Sequence, residues 1–285
     1  AGEGADAGFV LGQLLGRADP SELQGQRNTR VRANGTTHDA QGQRHFQDTD
    51  EIACLVLTPR GERPVTTVAS CPCVSTGFHR HSRNFDTPIG IFDGQSDIGA
   101  ALVPGSASYD AATGQYTINS AGYNIWYNRD EFRYLWKKMS GDVSLAADVT
   151  FPNANGFGDR KVVLIFRQNL DDDSRQVMVG EHGAGMIHLA FRSDTNVLMQ
   201  DLEYRFSGLL KGVHAKRIGI EKHGDSFAIF VSIKDEPMHQ LGPPITLHLD
   251  EPFYVGIGFC SHLPATVDTA TVSNVLLENA AAKVQ

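Results

Sequence analysis

The chain carries 285 residues, enough for one large domain or a domain of about 200 residues with an appendage. At 41% apolar and 20% charged it has the composition of a globular protein, and no apolar run approaches the roughly 18 residues needed to span a bilayer. A net charge of -8 and a pI near 5.7 argue against a nucleic-acid partner and favour neutral or cationic ligands.

In chain order, Phe9-Val10-Leu11 and Leu14-Leu15 are preceded by no basic residue and interrupted by Gly and Gln, so no intact secretory signal is expected. Cys54, Cys71 and Cys73 cluster in the first third and Cys260 stands alone, too few for a disulfide scaffold. A composition shift follows near Pro88. Before it lie nine Arg and no Lys, Tyr or Trp; all eight Lys, seven Tyr and both Trp come later. Polar stretches such as Gln24–Asn28 and Gln41–Arg44 lack apolar periodicity, so residues 1–88 are expected to be an irregular extension, disordered or foreign to the native protein, with one strand at Ile52–Leu57. Residues 89–279 form the expected domain and 280–285 a tail.

From Ile89 onward, short runs rich in β-branched and aromatic residues alternate with Gly, Asn, Asp and Pro, the punctuation of an all-β fold. Strands are expected at Ala101–Val103, Gln115–Asn119, Phe132–Lys137, Val143–Thr150, Lys161–Arg167, Gln176–Gly180 and Met186–Phe191. Further strands follow at Asn196–Leu202, Arg217–Lys222, Ser226–Ile233, Ile245–Leu249, Phe253–Phe259 and Ala270–Leu277. Val143, Leu145, Ala147 and Val149 alternate with Ser144 and Asp148, as a strand with one buried face requires. Ile218 and Ile220 lead into a His223-Gly224-Asp225 turn, after which Phe227, Ile229 and Val231 resume the inward face, predicting a hairpin. Val162–Phe166 is apolar on both faces, as a central strand is. A two-sheet antiparallel jelly-roll sandwich accommodates all of these.

Several motifs in Ile89–Leu277 carry a family likeness: Gly90–Gly99, Pro104-Gly105-Ser106, Tyr109-Asp110, Tyr116-Thr117-Ile118 and Asn124-Ile125-Trp126. Others are Phe132 with Trp136-Lys137-Lys138, Ser140–Leu145 and Glu251–Gly258. Together they resemble the concanavalin A-like jelly-roll domain of the "regulation of enolase protein" type, found before the propeller in some Tol-type biopolymer transporter proteins. The resemblance implies the fold and a glycan-related or envelope role, periplasmic or extracellular, without an established reaction.

Candidate site residues are aromatic and polar. Tyr123, Trp126, Tyr127, Tyr134 and Trp136 crowd one region, and Trp126 and Trp136 are the candidate platforms for stacking on sugar rings, with burial in the core as the alternative for Trp136. Arg167-Gln168 and Glu181-His182 stand at strand exits. There Arg167, Glu181 and His182 could hold a carboxylate or sugar hydroxyls, unless Arg167 and Glu181 form a structural ion pair. His188 and Glu203 extend the same idea. The Glu-x-Asp-x-x-Glu run of laminarinase-type sandwiches is absent, and Asp142 and Asp148 stand six apart. Asp171-Asp172-Asp173 reads as a solvated turn rather than a Ca²⁺ site. Cys71-Pro72-Cys73 with His79 and His81 has the wrong spacing for zinc, and Cys260-Ser261-His262 lacks a group to orient the imidazole. No cofactor or metal is expected.

The leading expectation is a non-catalytic module that binds a polysaccharide or another envelope polymer. The alternatives are a glycoside hydrolase or lyase working through Arg167, Glu181 and His182, and a structural domain of a propeller protein.

Overall fold

The computed structural model describes residues 36–38, 44–46 and 82–284, apart from 100, 205–213 and 235. The chain divides into two units, Ala1–Phe78 and His79–Gln285. In the first, the backbone of β1 (Thr36–His38) pairs antiparallel with that of β2 (Arg44–Phe46). The strand expected at Ile52–Leu57 and the Cys71, Cys73, His79 and His81 set lie outside the described residues.

The second unit is all-β. In chain order its strands are β3 (Arg83–Phe85), β4 (Gly94–Ile98), β5 (Ser106–Asp110), β6 (Gln115–Ser120), β7 (Ile125–Trp126), β8 (Arg129–Asp130) and β9 (Phe132–Met139). Then come β10 (Val143–Thr150), β11 (Lys161–Arg167), β12 (Gln176–His182), β13 (Ile187–Arg192), β14 (Gln200–Tyr204) and β15 (Arg217–His223). The last are β16 (Ser226–Ser232), β17 (His239–Gln240), β18 (Ile245–Thr246), β19 (Phe253–Cys260) and β20 (Asp268–Glu278). Sheet one runs β17-β16-β15-β10-β20-β6-β5, with β18 also on β16, and sheet two runs β14-β13-β12-β11-β19-β9-β4-β3. All pairings are antiparallel, and the chain passes repeatedly from one sheet to the other, as from β9 to β10 to β11. This is the jelly-roll sandwich expected from the sequence.

The core lies between the layers. Val143, Leu145, Ala147 and Val149 of β10 face Val162, Leu164 and Phe166 of β11, joined by Ile218 and Ile220 of β15 and Phe227, Ile229 and Val231 of β16. Each such fully buried side chain contributes roughly 1.5–3 kcal/mol. β11 is buried along its whole length, because Val163 and Ile165 pack on a second cluster over the outer face of sheet two with Phe132, Tyr134, Trp136, Met178 and Cys260. The β15–β16 hairpin closes as expected, with His223 opposite Ser226 and Gly224 in the left-handed region at φ 55°.

Three differences from expectation have physical causes. Ala101–Val103 is not a strand, whereas the polar segment Gly94–Ile98 is one. Its Asp97 is neutralised by Arg133 Nη1 at 3.1 Å, and its Ser96 Oγ accepts a hydrogen bond from Trp136 Nε1 at 2.8 Å. Ordered structure also begins before Ile89, since Arg83–Phe85 pairs with Gln95–Asp97. At the other end of the chain, the amides of Lys283 and Val284 each donate to Glu221 Oε1 at 2.8 Å, so the last described residues are seated on sheet one.

Two close approaches shape the outer face of sheet two. Trp136 lies flat over its ladder partner Gly94, where a Cβ would fall 2.7 Å from Cη2. His188 lies over Gly180, where a Cβ would fall 2.6 Å from Cδ2. Glycine at these two positions lets large rings lie against the sheet.

Candidate functional site

The ladder registers place each expected site residue. In β11 the odd positions Lys161, Val163, Ile165 and Arg167 share the outer face, opposite His182, Gly180, Met178 and Gln176 of β12. Glu181 lies opposite Val162 and therefore faces the interior, where His214 Nδ1 meets its Oε1 at 3.3 Å. Arg167 and His182 share a face but stand at opposite ends of the β11–β12 ladder, about 20 Å apart at 3.3 Å per residue. The Arg167–Glu181 ion pair does not form, and Arg167, Glu181 and His182 do not converge. Burial pushes the Glu181 carboxyl up to about 7, while its hydrogen bond raises the His214 imidazole above its ordinary value.

Arg167 is fully buried and its donors are engaged within the protein. Nη1 donates to Asp130 Oδ2 at 2.7 Å and to Gln176 Oε1, Nη2 to the Asp171 carbonyl, and Nε to the Asn169 carbonyl at 3.3 Å. Arg192 grips the same carboxylate through Nη1 and Nη2 at 2.9 and 2.8 Å. Its Nη2 also reaches the Trp126 and Tyr127 carbonyls at 3.3 and 3.2 Å. Two arginines thus fasten the β7–β8 hairpin across the outer face. Tyr127 turns that hairpin at φ 50°. Asp172 and Asp173 are buried, not solvated as the triplet suggested, and Arg129 Nη1 lies 3.3 Å from Asp172 Oδ1.

Trp136 is 4% exposed, with its indole edge against Tyr254 at 5.2 Å, so its ring is packed rather than presented to solvent. Trp126 is half-buried. It stacks on His188 with centroids 5.5 Å apart and planes at 4°, and Lys161 Nζ stands 5.2 Å from its ring.

Around Lys161 the structure gathers groups from several elements. Lys161 Nζ donates to Asn124 Oδ1 at 2.8 Å. The His182 and His188 rings meet edge to face at 4.8 Å, and none of their four nitrogens makes a hydrogen bond among the described residues. Burial pulls the Lys161 ammonium below its ordinary value, the His182 imidazole down to about 4, and His188 well below its usual range. Cys260, the ladder partner of Lys161, is buried and its thiol is pushed up to about 11. His262 lies beyond the end of β19, which stops at Cys260.

The rim at this end is aromatic. Phe157 and Tyr123 are each 42% exposed. His262 lies between them, stacked on Phe157 at 5.2 Å and 4° and tilted against Tyr123 at 5.3 Å and 32°. His262 has φ 66°, a strained conformation for a residue other than glycine. Four loops are tied together here: the amides of Gly183, Ala184 and His262 donate to the carbonyls of Arg160, Gly158 and Gly122 at 2.8, 2.9 and 3.0 Å. Arg160 anchors its loop by donating to Asp268 Oδ2 at 2.8 Å.

Of the residues singled out in the sequence, Trp126, His182 and His188 fall in this cluster, and Tyr123 lies on its rim. Lys161, Asn124, Phe157 and Asp159 were not foreseen as part of it. No group of three or more His, Cys, Asp or Glu among the described residues is arranged to hold a metal ion. No helix among the described residues is long and apolar enough to cross a membrane.

No family model and no curated protein matches the chain. Among solved structures, it is similar to a functionally unknown protein from Saccharomyces cerevisiae, with 15% identity, coverage of 61% of this chain and 91% of that one, and a TM-score of 0.49. It is also similar to the carbohydrate binding module CBM66 from Bacillus subtilis, with 14% identity, coverage of 70% and 94%, and a TM-score of 0.35. A third is an alginate lyase from Klebsiella pneumoniae, with 10% identity, coverage of 61% and 84%, and a TM-score of 0.39. None of the three assigns a function to this chain.

Proposed function

We propose that the protein is a non-catalytic glycan-binding module whose contact surface is the aromatic rim at the Lys161 end of sheet two. The observation that carries this reading is the Phe157–His262–Tyr123 stack, two exposed rings around an imidazole, beside the half-exposed indole of Trp126. Flat apolar faces next to hydrogen-bonding groups suit sugar rings, whose CH faces stack while their hydroxyls seek donors and acceptors. The family resemblance of Ile89–Leu277 supports an envelope polymer as the target.

Affinity electrophoresis through gels cast with neutral and acidic polysaccharides tests the proposal. Retardation by at least one polymer, weakened about fivefold or more in Tyr123→Ala, Phe157→Ala and Trp126→Ala, is expected, as loss of one stacking contact of about 1 kcal/mol requires. Migration unaffected by every polymer would refute it. A hydrolase or lyase built on Arg167, Glu181 and His182 finds no support in the separation of those side chains.

A further inference from the structure

Beneath Trp126 the polar groups are unbalanced. Lys161 is 2% exposed, and the hydrogen bond of its ammonium among the described residues goes to a neutral acceptor, Asn124 Oδ1. The carboxylates of Asp159, Asp130 and Asp201 act on it only at longer range. Next to it are the ring nitrogens of His182 and His188, none hydrogen-bonded among the described residues, with Asp159 Oδ1 3.8 Å from His182 Nδ1. A buried ammonium with idle N–H groups, and imidazoles with an idle donor and acceptor each, are unfavourable when left without partners. Those same groups complement a ligand that brings a negative charge flanked by hydroxyls.

We infer that this end of the outer face is a subsite for the carboxylate of an acidic sugar, a uronate, with Lys161 as its charge partner and His182 and His188 as its hydroxyl partners. The inference rests on the glycan-binding reading and deepens it by naming the sugar class.

Access runs past the Trp126 indole, which closes over Lys161 together with Asn124 and His188. The Trp126 indole covers both His188 and Lys161, and it is half-exposed. Rotating it uncovers the cluster while Asp130 keeps the hairpin backbone fastened to Arg167 and Arg192. Asp159 sets the depth of binding. Its Oδ1 lies 3.8 Å from His182 Nδ1, on a side chain that is half exposed, so an incoming carboxylate is repelled at the mouth and stabilised at Lys161. Neighbouring sugars of the polymer then lie over Tyr123, His262 and Phe157.

The test is calorimetric titration of the full chain with trigalacturonate and with its methyl ester, whose capped carboxyl groups carry no charge. Lys161→Met is compared with the native protein, since methionine keeps an unbranched stem in the same space and removal of an unpaired cation leaves no buried counter-charge behind. The native protein is expected to prefer the acid about tenfold or more, and Lys161→Met to lose that preference, its affinity for the acid falling to that for the ester. Equal affinity of the native protein for acid and ester, or an undiminished preference in Lys161→Met, overturns the carboxylate subsite and leaves glycan binding standing. Failure to bind either trimer or any neutral glycan overturns the glycan reading, and the subsite falls with it.

Discussion

Replacing Asp130 with asparagine should weaken the molecule more than any surface change. Its carboxylate accepts from Arg167 Nη1 at 2.7 Å, from Arg192 Nη1 and Nη2 at 2.9 and 2.8 Å, and from Gln176 Nε2 at 3.3 Å. The side chains of Asp130, Arg167 and Arg192 are all 0% exposed. Two guanidinium groups already share one negative charge, so a neutral amide leaves two buried cations with no counter-ion and turns one acceptor into a donor facing donors. Breaking a buried ion pair from one side costs about 3–5 kcal/mol. With a urea dependence of about 2–3 kcal/mol per molar, the unfolding midpoint of Asp130→Asn should fall by about 1–2.5 M. Tryptophan emission reports it, since Trp126 lies in the same β7–β8 hairpin as Asp130 and Trp136 in sheet two. Replacing the whole group, Asp130→Leu with Arg167→Met and Arg192→Met, should recover most of the loss, because no charge is then stranded. A midpoint shift below about 0.3 M in Asp130→Asn would contradict the role assigned to this carboxylate.

Gly180→Ala should lower stability by about 1–3 kcal/mol, because its Cβ would collide with the His188 ring; an unchanged melting temperature would count against that close approach. Trp136→Ala should cost about 3–5 kcal/mol in urea titrations, whereas Trp136→Phe should leave polysaccharide retardation intact, as befits a packed ring. Stability should also decline on acidification. The folded His182 and His262 values of about 4 lie below the ordinary 6.5, and burial holds His188 well below its usual range too, so below 6.5 the unfolded chain takes up protons that the folded chain refuses. That contribution, roughly 3 kcal/mol for His182 alone, is fully present above 6.5 and is lost as pH falls toward 4. Glu181 opposes it: raised to about 7, it favours the folded state below 4.5 and loses that effect as pH rises through 7. His214, raised by the same hydrogen bond, acts in the same sense as Glu181; the three depressed imidazoles outweigh this pair, so acid loss is the net result, and a urea midpoint at pH 5 equal to that at pH 7 would disprove it.

Strands with apolar alternation were legible in the sequence, because Val143–Val149, Val162–Phe166 and the Ile218–Val231 hairpin announce which face is buried. Gly94–Ile98 was not, since its buried polar groups are satisfied by Arg133 and Trp136, some 40 residues away. The short β7–β8 hairpin was missed because its turn uses Tyr127 at positive φ rather than Gly or Asn. Parity could have separated Arg167 from Glu181: once Arg167 pairs with Gln176, a residue five positions further on must face the other way. Lys161 had no local signal. A lysine opening an apolar strand reads as a solvated end, and only the fold of Asn124, Trp126 and His188 over it seals it from water.

The pairing of Gly94 with Trp136 and of Gly180 with His188 also limits the order in which this surface could diversify. Within each couple the ring must shrink before the glycine can gain a side chain, because the reverse order passes through a collision. Descendants of this fold should therefore exchange these partners jointly, and a solitary change at either glycine would mark a lineage whose ring had already been reduced.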